Sequence, residues 1–360
     1  EKAMSEAADG FNPEYDPTGI EGGLDTNLLP WLDVPNTDGV SMKTVRASME
    51  SGMFSLIIKI EEGKAFPNSV FLGGLDLLVL SGELDFSQGG QTSVLKPGTW
   101  GFVPANTKID SIVARGESEM LVNFFNGISI LNSDGSLKGI LTAMDVNQLA
   151  KDAGVTMVPS SLADCARARP SAYRGDPSPL AIAKRNANEL VDGEPSGDVK
   201  KYAHDFFIDA KTVPWIINPD LPDIGLKILR VSEETGVISL IVKHKGVATP
   251  HTHIGAADFL VLSGAIGYRA GPPEGYGPGM WFYEPAGARH ESTQSLTDEP
   301  LIYTANVYGP LIFDSGKGTP VEAVLSWVEY VALAEGGGAK LVPNSEAAEK
   351  ALLAWSPLRS

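Results

Sequence analysis

The chain of 360 residues has a single cysteine, Cys165, so it can form no internal disulfide and must rely on packed cores. A reducing, cytoplasmic setting is the expectation, with a removed leader left open because the sequence starts at Glu1. No stretch approaches the roughly eighteen consecutive apolar residues of a spanning helix. Basic residues are also few: 28 Lys and Arg stand against 45 Asp and Glu, a formal net charge of −17. Such a surface repels polyanions, which sets aside nucleic acid and anionic membranes as main partners. Histidine is scarcer still, with five in the chain and none before His204.

Glycine and proline, by contrast, are plentiful at 39 and 25, and they punctuate short runs rich in Val, Ile, Leu and Phe. Phe54 to Lys59, Leu77 to Leu80, Val237 to Val242 and Phe259 to Leu262 are of this kind. Runs of that length between turn residues predict β-strands, and several are apolar on both faces, as in a closed or two-layer barrel.

The strands belong to an internal repeat spanning residues 29–127 and 213–309. Leu29-Pro30-Trp31 is answered by Val213-Pro214-Trp215. Lys43, Arg46, Ser48, Gly52, Ser55 and Leu56 recur at identical spacing as Lys227, Arg230, Ser232, Gly236, Ser239 and Leu240. Asp76 with Leu78 to Gly82 returns as Asp258 with Leu260 to Gly264, and Pro97-Gly98, Trp100 and Pro104-Ala105 return as Pro278-Gly279, Trp281 and Pro285-Ala286. Ordered matches of this density predict a duplicated β-domain. The expected layout is an extended arm over 1–28, a first barrel over 29–130, a connector over 131–200, a second barrel over 201–335 and a tail over 336–360. Within it, helices are predicted at Leu180 to Val191, after Pro-Ser-Pro, and at Val321 to Glu335, before a triple-glycine stop. The outlying segments are open to strand exchange or subunit contact.

In the second copy Pro250-His251-Thr252-His253 puts two imidazoles at i and i+2, on one face of a strand, where both can meet one metal ion. A third, His290, follows the Pro285-Ala286-Gly287 turn, which reverses the chain and aims the returning strand. The first copy has Ser69 and Phe71 where the second has His251 and His253, and Val103 and Ile109 where it has Glu284 and His290, so only the second half is expected to hold metal. His204 and His244 read as ordinary structural histidines. Glu284 is either a rim carboxylate or an acceptor that orients a histidine or bound water, or an occasional fourth ligand. Asp258 is read as structural, because parity turns it away from the His251 face and the histidine-free copy keeps Asp76. Tyr268, Trp281 and Tyr283 are barrel core or pocket wall, and Arg289 is a surface cation or an anchor for an anionic substrate.

The segment Gly279 to His290 resembles the second motif of the cupins, with Gln294 in place of the usual final Asn, and Pro250 to His253 resembles a loose first motif. The resemblance implies tandem double-stranded β-helix (jelly-roll) barrels, an all-β fold with a partly helical connector and short helical appendages. Residues 205–310 look most like the family of 2,4′-dihydroxyacetophenone dioxygenase, acetylacetone-cleaving dioxygenase and the cupin domain of the anti-sigma factor ChrR. The likeness rests on Val213-Pro214-Trp215, Leu226 to Arg230, Pro250 to Gly255 and Tyr283 to His290. It implies His251, His253 and His290 as ligands of a non-haem Fe(II), with Glu284 in support. The extra carboxylate ligand of the ChrR type would fall on Ala257.

Imidazole donors also suit Zn(II), Cu(II) and Ni(II), so donors alone do not choose the metal. The first expectation is an Fe(II) dioxygenase that binds a β-diketone or hydroxyketone and dioxygen and breaks a C–C bond. A hydrolase, lyase or isomerase using Zn, Ni or Mn, and a non-catalytic binding bicupin, stay open beside it. A homo-oligomer is a further expectation, by analogy with related cupins.

Overall fold

The computed structural model describes residues 23–157, 178–184, 188–192, 204, 206–219, 221–267, 273–290, 293–315, 319–337, 341–343 and 355–357. Cys165 and Tyr268 lie outside them. The chain folds into two antiparallel jelly-roll barrels, as the repeat predicts, and among the described residues the helices lie at their margins. In the first barrel one wall runs Thr99–Val103, Leu75–Ser81, Ser118–Phe124, Phe54–Ile60, Val40–Ala47. Short sheets built on Ser69–Phe71 and Leu84–Gln88 close it from the other side. The second barrel repeats this order with Met280–Glu284, Ala257–Ser263, Leu301–Val307, Ile238–His244 and Ile224–Val231, faced by the sheet that contains His251–His253.

The two interiors differ. The first is filled by Phe54, Phe66, Phe71, Phe86 and Phe124, with Phe54 and Phe124 stacked at 4.9 Å. Ring packing of this kind fills the interior with apolar side chains and holds the barrel by hydrophobic burial, about 1.5–3 kcal/mol per ring. Phe71 occupies the position of His253, and Ser69 faces Ile109 across the ladder as His251 faces His290. The second interior keeps a cavity, described below.

The barrels pack face to face through one shared apolar cluster. It includes Val45, Ile57, Leu78, Leu80 and Trp100 from the first, and Leu229, Ile241, Leu260, Leu262 and Trp281 from the second. Buried polar residues of the repeat cross it as mirrored sets. Asp76 accepts from Asn123 at 2.7 Å and from Asn306 of the other barrel at 3.2 Å, while Ser55 and Ser239 donate to those asparagines. A bulge before Arg46, and its copy before Arg230, shifts the register so that each arginine shares the outward face of Ser55 or Ser239. Arg46 then lies 4.2 Å from the Tyr283 ring and Arg230 lies 4.0 Å from the Phe102 ring, each on the opposite barrel. The structural role expected for Asp76 and Asp258 is thus an interface role, and Leu78, Leu80 and Trp100 of the repeat, with their copies Leu260, Leu262 and Trp281, share that interface.

Each copy also lends its first strand to the other barrel. Leu24–Asp25, from within the predicted arm, pairs with Met280 and Trp281, and Phe207–Asp209 pairs with Thr99 to Gly101. Asp25 and Asp209 cap the 3₁₀ turn that follows each strand. Lys43 Nζ then donates to the Thr26 carbonyl at 2.6 Å and Lys227 Nζ to that of Ala210 at 2.8 Å, pinning both turns from beneath.

Three local expectations change. Leu137–Leu141 is a strand of the first barrel rather than connector, since it pairs with Ile128–Leu131. The helix predicted over Val321 to Glu335 is a strand, Val321–Leu325, then a helix, Trp327–Gly336, started by a capping box of Ser326 and Glu329. The helix predicted over Leu180 to Val191 is a 3₁₀ turn, Ala181–Lys184, and a short helix, Asn188–Val191. Leu180, Ile182, Leu190 and Val191 join the inter-barrel cluster, and residues 185–187 lie outside the described residues.

Candidate metal centre

Strand His251–His253 lies between two partners. His251 stands opposite the backbone of His290 on one side and opposite Phe313 on the other. The turn from Glu284 to Ala288 is tightened by Ala288 N–H donating to the Pro285 carbonyl at 3.0 Å, with Gly287 at φ +85°, a conformation that a side chain would strain. His253 and the turn exchange backbone bonds, His253 N to Ala288 O at 2.8 Å and Gly287 N to His253 O at 2.7 Å. The Pro-x-Gly turn therefore fixes Glu284 and the HxH strand relative to each other.

The side-chain result is a compact donor set: one atom each from His251, His253 and Glu284 lies within 4.8 Å of the others. His253 and Glu284 are both 3% exposed, and His253 Nε2 abuts Glu284 Oε2. His251 Nδ1 lies 2.9 Å from the Thr249 carbonyl. A carbonyl only accepts, so the proton sits on Nδ1 and Nε2 keeps its lone pair, the tautomer a metal ligand needs. Two imidazoles and a carboxylate, converging with His253 and Glu284 buried and His251 half-buried, have the composition of a divalent-cation site.

This set opens into a cavity of about 110 Å³ inside the second barrel. Its walls are mainly apolar, with Leu226, Leu240, Phe259 and Phe313 prominent. A larger outer chamber of about 680 Å³ shares Leu221, Thr249, Phe313 and Leu325 with it and forms its approach.

Of the other predicted pocket residues, Trp281 and Tyr283 do not line this cavity. Glu284, Phe282 and Met280 take the inward face of their strand, so alternation sends Trp281 and Tyr283 outward into the inter-barrel cluster. Tyr283 stacks on Arg46 there, and Trp281 is wholly buried. Arg289 is neither a surface cation nor a wall residue: its Nη2 bonds Asp314 Oδ1 at 2.9 Å and the pair is largely buried. Asp258 points away from the donor set and accepts from Tyr308 Oη at 2.6 Å. Sequence reasoning missed Phe259, Tyr303 and Phe313 as wall, although Phe259 shares the parity of Ala257. It also passed over His244, whose ring lines the cavity.

The ChrR cupin-like domain profile matches residues 21–128 and 203–308, more than half of the chain, and the chain belongs to that family. Among solved structures, the acetylacetone dioxygenase of Acinetobacter johnsonii is 15% identical, with 36% of this chain and 88% of that one covered and a TM-score of 0.32. A candidate dioxygenase of Nostoc punctiforme is 13% identical over 88% of both chains, with a TM-score of 0.51. An oxalate decarboxylase variant of Bacillus subtilis is 14% identical over 89% of this chain and 83% of that one, with a TM-score of 0.47. At these identities the likeness is one of fold, that of a bicupin. No curated protein matches the chain.

Proposed function

We propose that the second barrel is a non-haem metal-dependent dioxygenase that cleaves a C–C bond of a β-diketone or hydroxyketone. The metal would be held by His251, His253 and His290, with Glu284 beside it. The observation that carries this reading is the converging set of half-buried His251 with buried His253 and Glu284 at the wall of a mainly apolar cavity, with the backbone of His290 directly across the ladder from His251.

A divalent ion bound there would chelate substrate oxygens and lower the enol pKa, and Fe(II), the first expectation, would also bind dioxygen; Zn, Ni or Mn belong to the alternative of a hydrolase, lyase or isomerase. The remaining work falls to the chain. The Thr249 carbonyl fixes the tautomer of His251. Glu284, buried against His253, orients that ring and is placed to take the acidic proton between two carbonyls, which leaves the substrate as its enolate. Phe259 and Phe313 wall the cavity and exclude water, so the electron-rich substrate meets dioxygen in a low-dielectric space.

Oxygen uptake with 2,4-pentanedione, together with metal analysis of protein purified without added metal, tests this reading. Uptake in the iron-bearing wild type and its loss in His251→Ala are expected. Turnover retained in His251→Ala, or activity confined to a zinc form without oxygen consumption, would overturn it.

A further inference from the structure

The cavity has a second polar group that the proposed metal chemistry does not use. His244, at the end of strand Ile238–His244, and Tyr303, on the neighbouring strand Leu301–Val307, both line it, and His244 Nε2 lies 2.9 Å from Tyr303 Oη. Tyr303 is four residues along its strand from Val307, which shares the row of Ala257 and Glu284. That is about 13 Å of backbone, so the pair hangs from a different level of the barrel than the donor set. His244 is 1% exposed. Tyr303 keeps some open surface although protein encloses it, because that surface faces the cavity. The ring of Phe259 packs at 5.0 Å against Tyr303.

We infer that His244 and Tyr303 form a hydrogen-bonding subsite that selects an uncharged ketone substrate carrying a further hydroxyl or carbonyl oxygen beyond its metal-chelating head. The inference rests on the diketone reading above and extends it to the substrate's other end. Two features support it. A His–Tyr pair can serve either partner: with the proton on Nε2 the imidazole donates to Oη and frees the phenol hydrogen for a substrate acceptor. With the proton on Nδ1 the phenol donates to Nε2 and its oxygen accepts from a substrate hydroxyl. Burial, with Glu284 next in effect, holds the phenol well above its usual pKa, so it keeps that hydrogen. In addition, none of the described residues lining the cavity is Lys or Arg, so away from the proposed metal the walls offer no counter-charge to a carboxylate and suit a neutral substrate tail.

The test compares two probes that differ by one hydroxyl, 2,4-hexanedione and 6-hydroxy-2,4-hexanedione, binding anaerobically to metal-loaded protein and followed by the diketonate absorption band. Wild type is expected to favour the hydroxylated probe by about threefold to tenfold, the worth of one hydrogen bond. In Tyr303→Phe, and independently in His244→Leu, that ratio should fall to about one. Equal binding of the two probes to wild type, or a ratio unchanged in both variants, overturns the subsite and leaves the diketone reading standing. Failure of either probe to bind wild type overturns the diketone reading and the subsite with it.

Discussion

Replacing Arg46 by leucine isolates the electrostatics of the inter-barrel contact. Two interactions are lost. The first is the guanidinium over the Tyr283 ring at 4.2 Å, worth about 2 kcal/mol when desolvated. The second is the attraction to Asp258, whose pKa burial raises to about 6 while Arg46 works against that rise. At pH 5 the folded protein holds Asp258 protonated, so only the contact with Tyr283 is lost, its ring together with the 3.3 Å bond from Arg46 Nη2 to Tyr283 Oη, and the variant should be about 2 kcal/mol less stable. At pH 8 the carboxylate is charged in wild type and loses its counter-charge, and the cost should rise to about 3–5 kcal/mol. Urea unfolding followed by tryptophan fluorescence reports on this directly, since Trp100 and Trp281 lie in the interface. Adding Asp258→Asn should remove the pH-dependent part. An identical loss at both pH values would refute the coupling.

Wild-type stability should itself fall as pH rises from about 4 to about 7: Asp76, raised to about 7, and Asp258, raised to about 6, bind protons more tightly folded than unfolded. A flat urea midpoint across that window would contradict the burial of these groups. Lys227→Met strands the carbonyl of Val191 at about 1–3 kcal/mol and leaves that of Ala210 with the Val213 N–H alone, and hydrogen exchange should quicken over 207–212 while 24–28 stays protected. Glu284→Gln should keep its metal yet lose at least about tenfold in oxygen uptake, measured on samples of matched metal content. Ser69→His combined with Ile109→His should leave metal content per chain unchanged, because Phe71 and its neighbours fill the space an ion needs.

The duplication was legible because the residues that match between copies, Arg46 with Arg230, Ser55 with Ser239 and Asp76 with Asp258, are those the mirrored interface demands. The HxH spacing, a local feature, pointed to His251 and His253, while Glu284, which joins them in the observed cluster, was read only as a rim or supporting carboxylate. Pocket residues were misread at Trp281 and Tyr283, although counting in twos from Glu284 would have turned them outward. Strand exchange could not be read, since Leu24 and Phe207 carry no sign of which barrel they join. The start of the last helix was written in Ser326 and Glu329, a capping box inside a stretch whose apolar residues suit strand and helix alike.

The central claim is that one metal ion binds per chain, in the second barrel alone. Anomalous diffraction from crystals of protein purified without added metal should show one peak per chain, bounded by His251, His253, His290 and Glu284. A peak in the first barrel, or one displaced from those side chains, would contradict it.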